Sequence, residues 1–175
     1  MGLGTPTSVR KLQRALYTKA KTESGYRFYA LWDKVWRDDV LKEAWDRCRA
    51  NGGSPGVDGE RFADIKSQGV DAWLGNLSEE LRTKRYRPQP LLRTWIPKAS
   101  GGERPLGIPT IRDRVVQSAM VIAIGPIFEA DLLPQQYGFR PKLGAKLAVR
   151  RVYYHVTQYG KRDVVDADLS DYLDH

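Results

Sequence analysis

The chain carries a single cysteine in 175 residues, so no intramolecular disulfide framework can hold it together, and one thiol fits a reducing cytosol. No apolar run approaches the roughly 18 residues that a membrane span requires, and Met1-Gly2-Leu3-Gly4 is no signal peptide. These absences predict a soluble, cytoplasmic protein with no membrane partner. His155 has no second ligand near it in the sequence, which leaves it without a metal or acid–base role. The glycine-rich stretch Ser54-Pro55-Gly56-Val57-Asp58-Gly59 is followed by no Gly-Lys-Ser/Thr, so it is a dense turn and not a phosphate loop. Acid is scarce too: 21 Asp and Glu stand against 29 Lys and Arg, a net charge of +8. That balance favours a polyanionic partner, nucleic acid before an acidic membrane surface, with unspecific adhesion to RNA as the plainer alternative. At 41% hydrophobic, the chain can bury a core, as one domain or as a domain plus a helical extension.

Periodicity then predicts the elements. From Ser8 to about Glu23, Leu12, Ala15, Leu16 and Lys19 fall at helical spacing, and Arg10, Lys11, Arg14, Lys19 and Lys21 make that helix basic. Its cations suit either phosphate contact or plain solvation. Trp36, Val40, Leu41, Ala44, Trp45 and Cys48 mark a firmer amphipathic helix that stops at Asn51-Gly52-Gly53. A third runs from about Val70 to Lys84 on Val70, Trp73, Leu74, Leu77 and Leu81, and Tyr86-Arg87-Pro88-Gln89-Pro90 then forces extended chain. Residues 91–98 and 104–109 read as two strands of a hairpin around Ala99-Ser100-Gly101-Gly102-Glu103, with Pro97 keeping the first strand at a sheet edge. Thr110 and Asp113 are placed to cap the next helix, whose apolar face is Val115, Val116, Ala119, Met120, Ala123, Ile127 and Phe128. Arg112 and Arg114 in its first turn oppose the helix dipole, so something outside the helix needs them. A last helix, roughly 143–159, turns Leu147, Ala148, Val152 and Val156 inward.

Three places could carry chemistry. Lys98 and Arg104 sit at the two ends of the hairpin turn, where they form either a phosphate clamp or a charged edge that discourages aggregation. Tyr137-Gly138-Phe139-Arg140-Pro141 is either a platform for stacking on RNA or a corner in which Arg140 satisfies carbonyls. Val164-Val165 predicts a short buried strand, ending in the acid repeat Asp166-Ala167-Asp168-Leu169-Ser170-Asp171. That repeat is either a solvated loop or a source of oxygen ligands for magnesium.

Taken in order, the motifs Asn51-Gly52-Gly53-Ser54-Pro55-Gly56-Val57-Asp58-Gly59, Trp95-Ile96-Pro97-Lys98, Arg104-Pro105-Leu106-Gly107-Ile108-Pro109-Thr110 with Arg112-Asp113-Arg114, Tyr137-Gly138-Phe139-Arg140-Pro141 and Val165-Asp166-Ala167-Asp168-Leu169 resemble the N-terminal half of a bacterial group II intron-encoded reverse transcriptase, or maturase. The resemblance covers about residues 8–174. It implies an α+β fold: a helical N-terminal extension over 1–50, fingers with a β-hairpin over 51–141, and the beginning of an RRM-like palm over 142–175. By the same resemblance, Asp168 is the first catalytic aspartate and a Mg2+ ligand, with the Leu169 carbonyl beside it. Lys98 and Arg104 hold the triphosphate of the incoming dNTP, and Leu173 stands at the sugar-gate position where the family usually has an aromatic. Arg10, Lys11, Arg14, Lys19, Asp58, Arg112, Arg114 and Arg140 fall at expected contacts with template or intron RNA. The Tyr-Ala-Asp-Asp motif of the family is missing, since the only adjacent aspartates are Asp38-Asp39. The chain by itself is therefore expected to bind RNA but not to polymerise, with magnesium weak or absent, and to self-associate through an incomplete palm edge. A non-catalytic RNA-binding role in splicing or assembly is the alternative.

Overall fold

A computed structural model describes residues 5–99, 101–140 and 142–167. The chain divides into two compact units, Met1–Asp131 and Leu132–His175. In the first, helices α1 (Thr7–Thr22), α2 (Trp32–Val35), α3 (Asp38–Asn51), α4 (Phe62–Gln68) and α5 (Val70–Arg82) precede strands β1 (Leu92–Pro97) and β2 (Glu103–Ile108), and helix α6 (Ile111–Asp131) closes the unit. The second unit contains α7 (Ala145–Tyr159). The fold is thus α+β, mostly helical with one hairpin among the described residues.

Helix α6 is the central packing element, as its long apolar sequence predicts; α3 and α1 both lie against it. Leu41 from α3, Ile65 from α4, Leu77 and Leu81 from α5 and Ile122 from α6 are all fully buried. Each such side chain contributes about 2 kcal/mol of transfer free energy. Trp45, one turn beyond Leu41 on the same face of α3, sets its ring centre 5.4 Å from that of Phe62 and 5.5 Å from that of Trp73. The stop signal at the end of α3 holds: Gly52 takes φ 65° and its N–H reaches the Cys48 carbonyl at 3.0 Å.

Pro126 lies inside α6. Proline has no N–H, so the Ile122 carbonyl loses its partner one turn later. Gln13 of α1 donates its Nε2 to that carbonyl at 3.2 Å, and Lys21 donates Nζ to the Ala130 carbonyl at 2.8 Å. Both donors and both acceptors are eight residues apart, so α1 and α6 run in the same direction.

Several sequence expectations are corrected. On α1 the buried positions are Val9, Leu16 and Ala20, whereas Ala15 faces solvent. On α6, Met120 and Phe128 are exposed, and Ile111, Ile122 and Ala130 are buried in addition to the predicted stripe. Helix α7 buries no residue, so Leu147, Val152 and Val156 do not point into a core. Val164 and Val165 are 83% and 93% exposed and form no strand. A strand needs a partner backbone, and the second unit offers none among its described residues. Residues 168–175, where the expected palm would continue, lie outside the described residues.

Candidate functional site

The β-hairpin is antiparallel and two-stranded, in the register Leu92↔Ile108, Thr94↔Leu106 and Ile96↔Arg104. Lys98 extends the ladder: its N–H bonds to the Gly102 carbonyl at 2.9 Å, while Gly101 N–H returns to the Lys98 carbonyl at 3.1 Å. Gly101 and Gly102 take φ 89° and 79°, conformations that glycine adopts without steric cost. Because side chains alternate along a strand, residue 98 falls on the same face as Ile96, and Ile96 sits opposite Arg104. Lys98 and Arg104 are therefore diagonal neighbours on one face. Both are exposed, and neither side chain makes a hydrogen bond or ion pair among the described residues.

One buried carboxylate bonds the segments on both sides of this hairpin. Thr110 caps α6 as predicted, its Oγ1 accepting the Asp113 N–H at 3.1 Å. Asp113, only 3% exposed, does more than complete the cap. Its Oδ2 accepts the Thr110 hydroxyl at 2.8 Å and the Gln89 N–H at 3.1 Å, and its Oδ1 accepts the Tyr86 hydroxyl. Burial, and then the Asp113 carboxylate, push the Tyr86 phenol well above the ordinary value of 10.0. That predicts a signature. Below pH 10 the phenol is protonated in both folded and unfolded chains and its contribution is complete. As pH rises beyond that, the unfolded chain loses the proton first and stability falls. Tyr86→Phe should cost about 1–2 kcal/mol at neutral pH, by leaving Asp113 short of a donor, and should flatten the loss of stability above pH 10. Urea unfolding at pH 8 and at about pH 11 measures both effects.

The glycine-rich turn leans on the same place. A Cβ on Gly56 would lie 2.6 Å from the Thr110 nitrogen and 2.9 Å from the Pro109 carbonyl carbon. Arg114 answers the question raised by its position in α6: it donates to the carbonyls of Gly52 at 3.1 Å and Ser54 at 2.6 Å, and its guanidinium lies 5.6 Å from the Phe62 ring centre. Arg112 pairs with Glu80 and sits 5.9 Å from the Tyr86 ring centre. Asp58, exposed, accepts the Glu60 N–H at 3.2 Å through Oδ1. Arg112 thus ties α6 to α5, and Arg114 braces the glycine-rich turn.

On α1, Arg10, Lys11 and Arg14 are exposed and make no ion pair among the described residues. Lys11, Arg14, Ala15, Thr18, Lys19 and Thr22 line one shallow groove. Lys19 is engaged within it, 2.6 Å from Glu23 and 4.3 Å from the Tyr26 ring centre. In the second unit Arg140 donates to the carbonyls of Leu133 and Gln136, both at 2.8 Å, while Phe139 is fully exposed. Asp168, Leu169 and Leu173 lie outside the described residues. Among the described residues no three His, Cys, Asp or Glu side chains gather to hold a metal ion, and Asp163 and Asp166 stand exposed. No described helix is long and apolar enough to cross a membrane.

Sequence reasoning missed the multiple bonds of Asp113. The sequence pointed only to its part in the Thr110 cap, because its other partners, Tyr86 and Gln89, are more than twenty residues away. No protein-family model matches the chain. Among curated proteins it is 37% identical to the protein YkfC of Escherichia coli K12 over 171 residues, 95% of this chain and 45% of that protein. It is 30% identical over 116 residues to the COX1/OXI3 intron 1 protein of Saccharomyces cerevisiae, 65% of this chain and 13% of that one. The group II intron-encoded protein LtrA of Lactococcus lactis subsp. cremoris matches at 28% over 153 residues, 85% of this chain and 25% of LtrA. The chain therefore spans less than half the length of these relatives, and over that span it is homologous to group II intron-encoded proteins, in their N-terminal portion.

Proposed function

We propose that the chain forms the fingers and the opening of an RRM-like palm of an RNA-directed DNA polymerase of the group II intron type, with residues 1–50 as a helical extension, 51–141 as fingers and 142–175 as the start of the palm. The observation that carries this reading is the hairpin, which presents Lys98 and Arg104 on one face with no side-chain partner among the described residues. Two exposed cations on a short, fixed ribbon suit a triphosphate. In this reading they hold the incoming dNTP, Leu173 takes the sugar-gate role, and Asp168 with Leu169 takes the role of first catalytic aspartate and magnesium ligand. Magnesium, when bound, supplies positive charge to the triphosphate.

RNA contact is assigned to Arg10, Lys11, Arg14 and Lys19 on α1, and to Asp58, Arg112, Arg114 and Arg140. The three unpaired cations of α1 support a direct role. Arg112, Arg114 and Arg140 already hold Glu80 of α5 or backbone carbonyls, so they act chiefly by shaping the surface that RNA would meet. The exposed α1 face also supports a second reading, a non-catalytic RNA-binding module.

Primer extension and RNA binding separate the two. Full-length protein with an RNA template, a DNA primer, magnesium and dNTPs should extend the primer, Asp168→Ala should abolish extension, and residues 1–175 alone should be silent. Replacing Arg10, Lys11 and Arg14 together with alanine should weaken RNA binding and reduce the slope of log K against log salt by about 2–3. RNA binding intact in full-length protein that never extends a primer favours the second reading.

A further inference from the structure

We infer that Asp113 is a positioning residue: by holding the entry and exit of the β-hairpin to the first turn of α6, it sets where Lys98 and Arg104 are presented. The significance of those two cations rests on the nucleotide reading above; the anchoring itself does not.

The two legs of the hairpin leave the helical body at Gln89, shortly before β1, and at Thr110, shortly after β2. One oxygen of Asp113 takes a donor from each leg, the Gln89 N–H at 3.1 Å and the Thr110 hydroxyl at 2.8 Å. An ordinary capping residue would satisfy only its own helix, whereas the bond to Gln89 reaches back 24 residues. The second oxygen takes the Tyr86 hydroxyl, fixing the Pro-rich approach to β1 from further upstream. Gly56 then seats the glycine-rich turn against Pro109 and Thr110, with no room for a side chain. Around a hairpin exposed at all but Thr94, Ile96 and Ile108, which are half-buried, this buried carboxylate is a common fastening point. It carries three accepted bonds on two oxygens, so the ribbon cannot tilt about either leg without breaking one. Misplacement of a binding group by about 1 Å can cost a hundredfold in function.

The test reads hairpin orientation directly. Spin labels go on Ala99→Cys in the hairpin loop and on Lys42→Cys of α3, in a Cys48→Ala background, and the distance between them is measured by pulsed electron resonance. The parent should give one narrow distribution. Asp113→Ala should at least about double its width, while Asp113→Asn, which keeps an acceptor for both legs, should stay narrow. In the full-length protein, Asp113→Ala should raise the dNTP KM about tenfold with kcat within about twofold, and the asparagine should restore it. A narrow distribution in folded Asp113→Ala overturns the inference. So does broadening with an unchanged KM when Lys98→Ala raises it. If neither Lys98→Ala nor Asp113→Ala moves KM, the failure belongs to the nucleotide reading, and the distance widths alone decide the anchor. Should Asp113→Ala fail to fold, Thr110→Val and Tyr86→Phe carry the same measurement: broadening supports the anchor and unchanged widths overturn it.

Discussion

Lys98→Ala and Arg104→Ala should each raise the dNTP KM of the full-length protein by about ten- to a hundredfold, with template affinity held within about twofold. The magnitude follows from removing one charge-assisted contact to phosphate, about 1.5–3 kcal/mol. The selectivity follows from geometry. Both residues stand on one face of a ribbon whose register is fixed by the Ile96↔Arg104 pair and by the Lys98–Gly102 bond. Neither side chain is spent on a neighbour among the described residues, so stability should move by less than about 0.5 kcal/mol in either alanine variant. Lys98→Arg should recover part of the loss and Lys98→Glu should worsen it. Steady-state primer extension with varied dNTP measures all four. An unchanged KM in both alanine variants would remove the hairpin from the nucleotide site.

Gly56→Ala should be the most damaging small substitution in the first unit, costing about 3 kcal/mol. The added methyl would lie 2.6 Å from the Thr110 nitrogen and 2.7 Å from its Cα, closer than any real carbon contact. Those are backbone atoms that open α6, so neither side can yield by turning a rotamer. Gly25, by contrast, would meet nothing within 4 Å, and Gly25→Ala should be near neutral. Thermal unfolding of the two variants side by side gives the comparison. Equal melting temperatures would mean that the glycine-rich turn does not rest on the hairpin base.

The sequence made the local elements legible where one short-range cause decided them. The glycine pair ended α3, the prolines at 88 and 90 kept the approach to β1 extended, and Thr110 began α6. It was less legible where tertiary neighbours chose. Val9 is fully buried while Ala15 is not, because α1 meets α6 along a line that helical spacing alone could not place. The short helices α2 and α4 went unread; α4 opens within a turn-rich stretch, where Asp64 secures its start by accepting the Arg61 N–H at 2.9 Å. Val164-Val165 had the composition of a strand, but the described residues of its unit offer no neighbouring strand. Within the candidate site, Lys98 and Arg104 could be found by their place around a turn. The reach of Asp113 could not, since nothing in local sequence records a bond to Gln89.

The proline in α6 gives the basic helix its address. A gap in one helix's hydrogen-bond ladder at Ile122, and a terminal carbonyl at Ala130, are filled from the same neighbour by Gln13 and Lys21. Eight residues of helix rise about 12 Å on each side, so the two bonds act like the matched teeth of a zip. Sliding α1 by one turn would strand both carbonyls at once. Arg10, Lys11 and Arg14 are consequently displayed at one fixed height along the body, and inserting a single residue between Gln13 and Lys21 would turn that display about 100° away from whatever it meets.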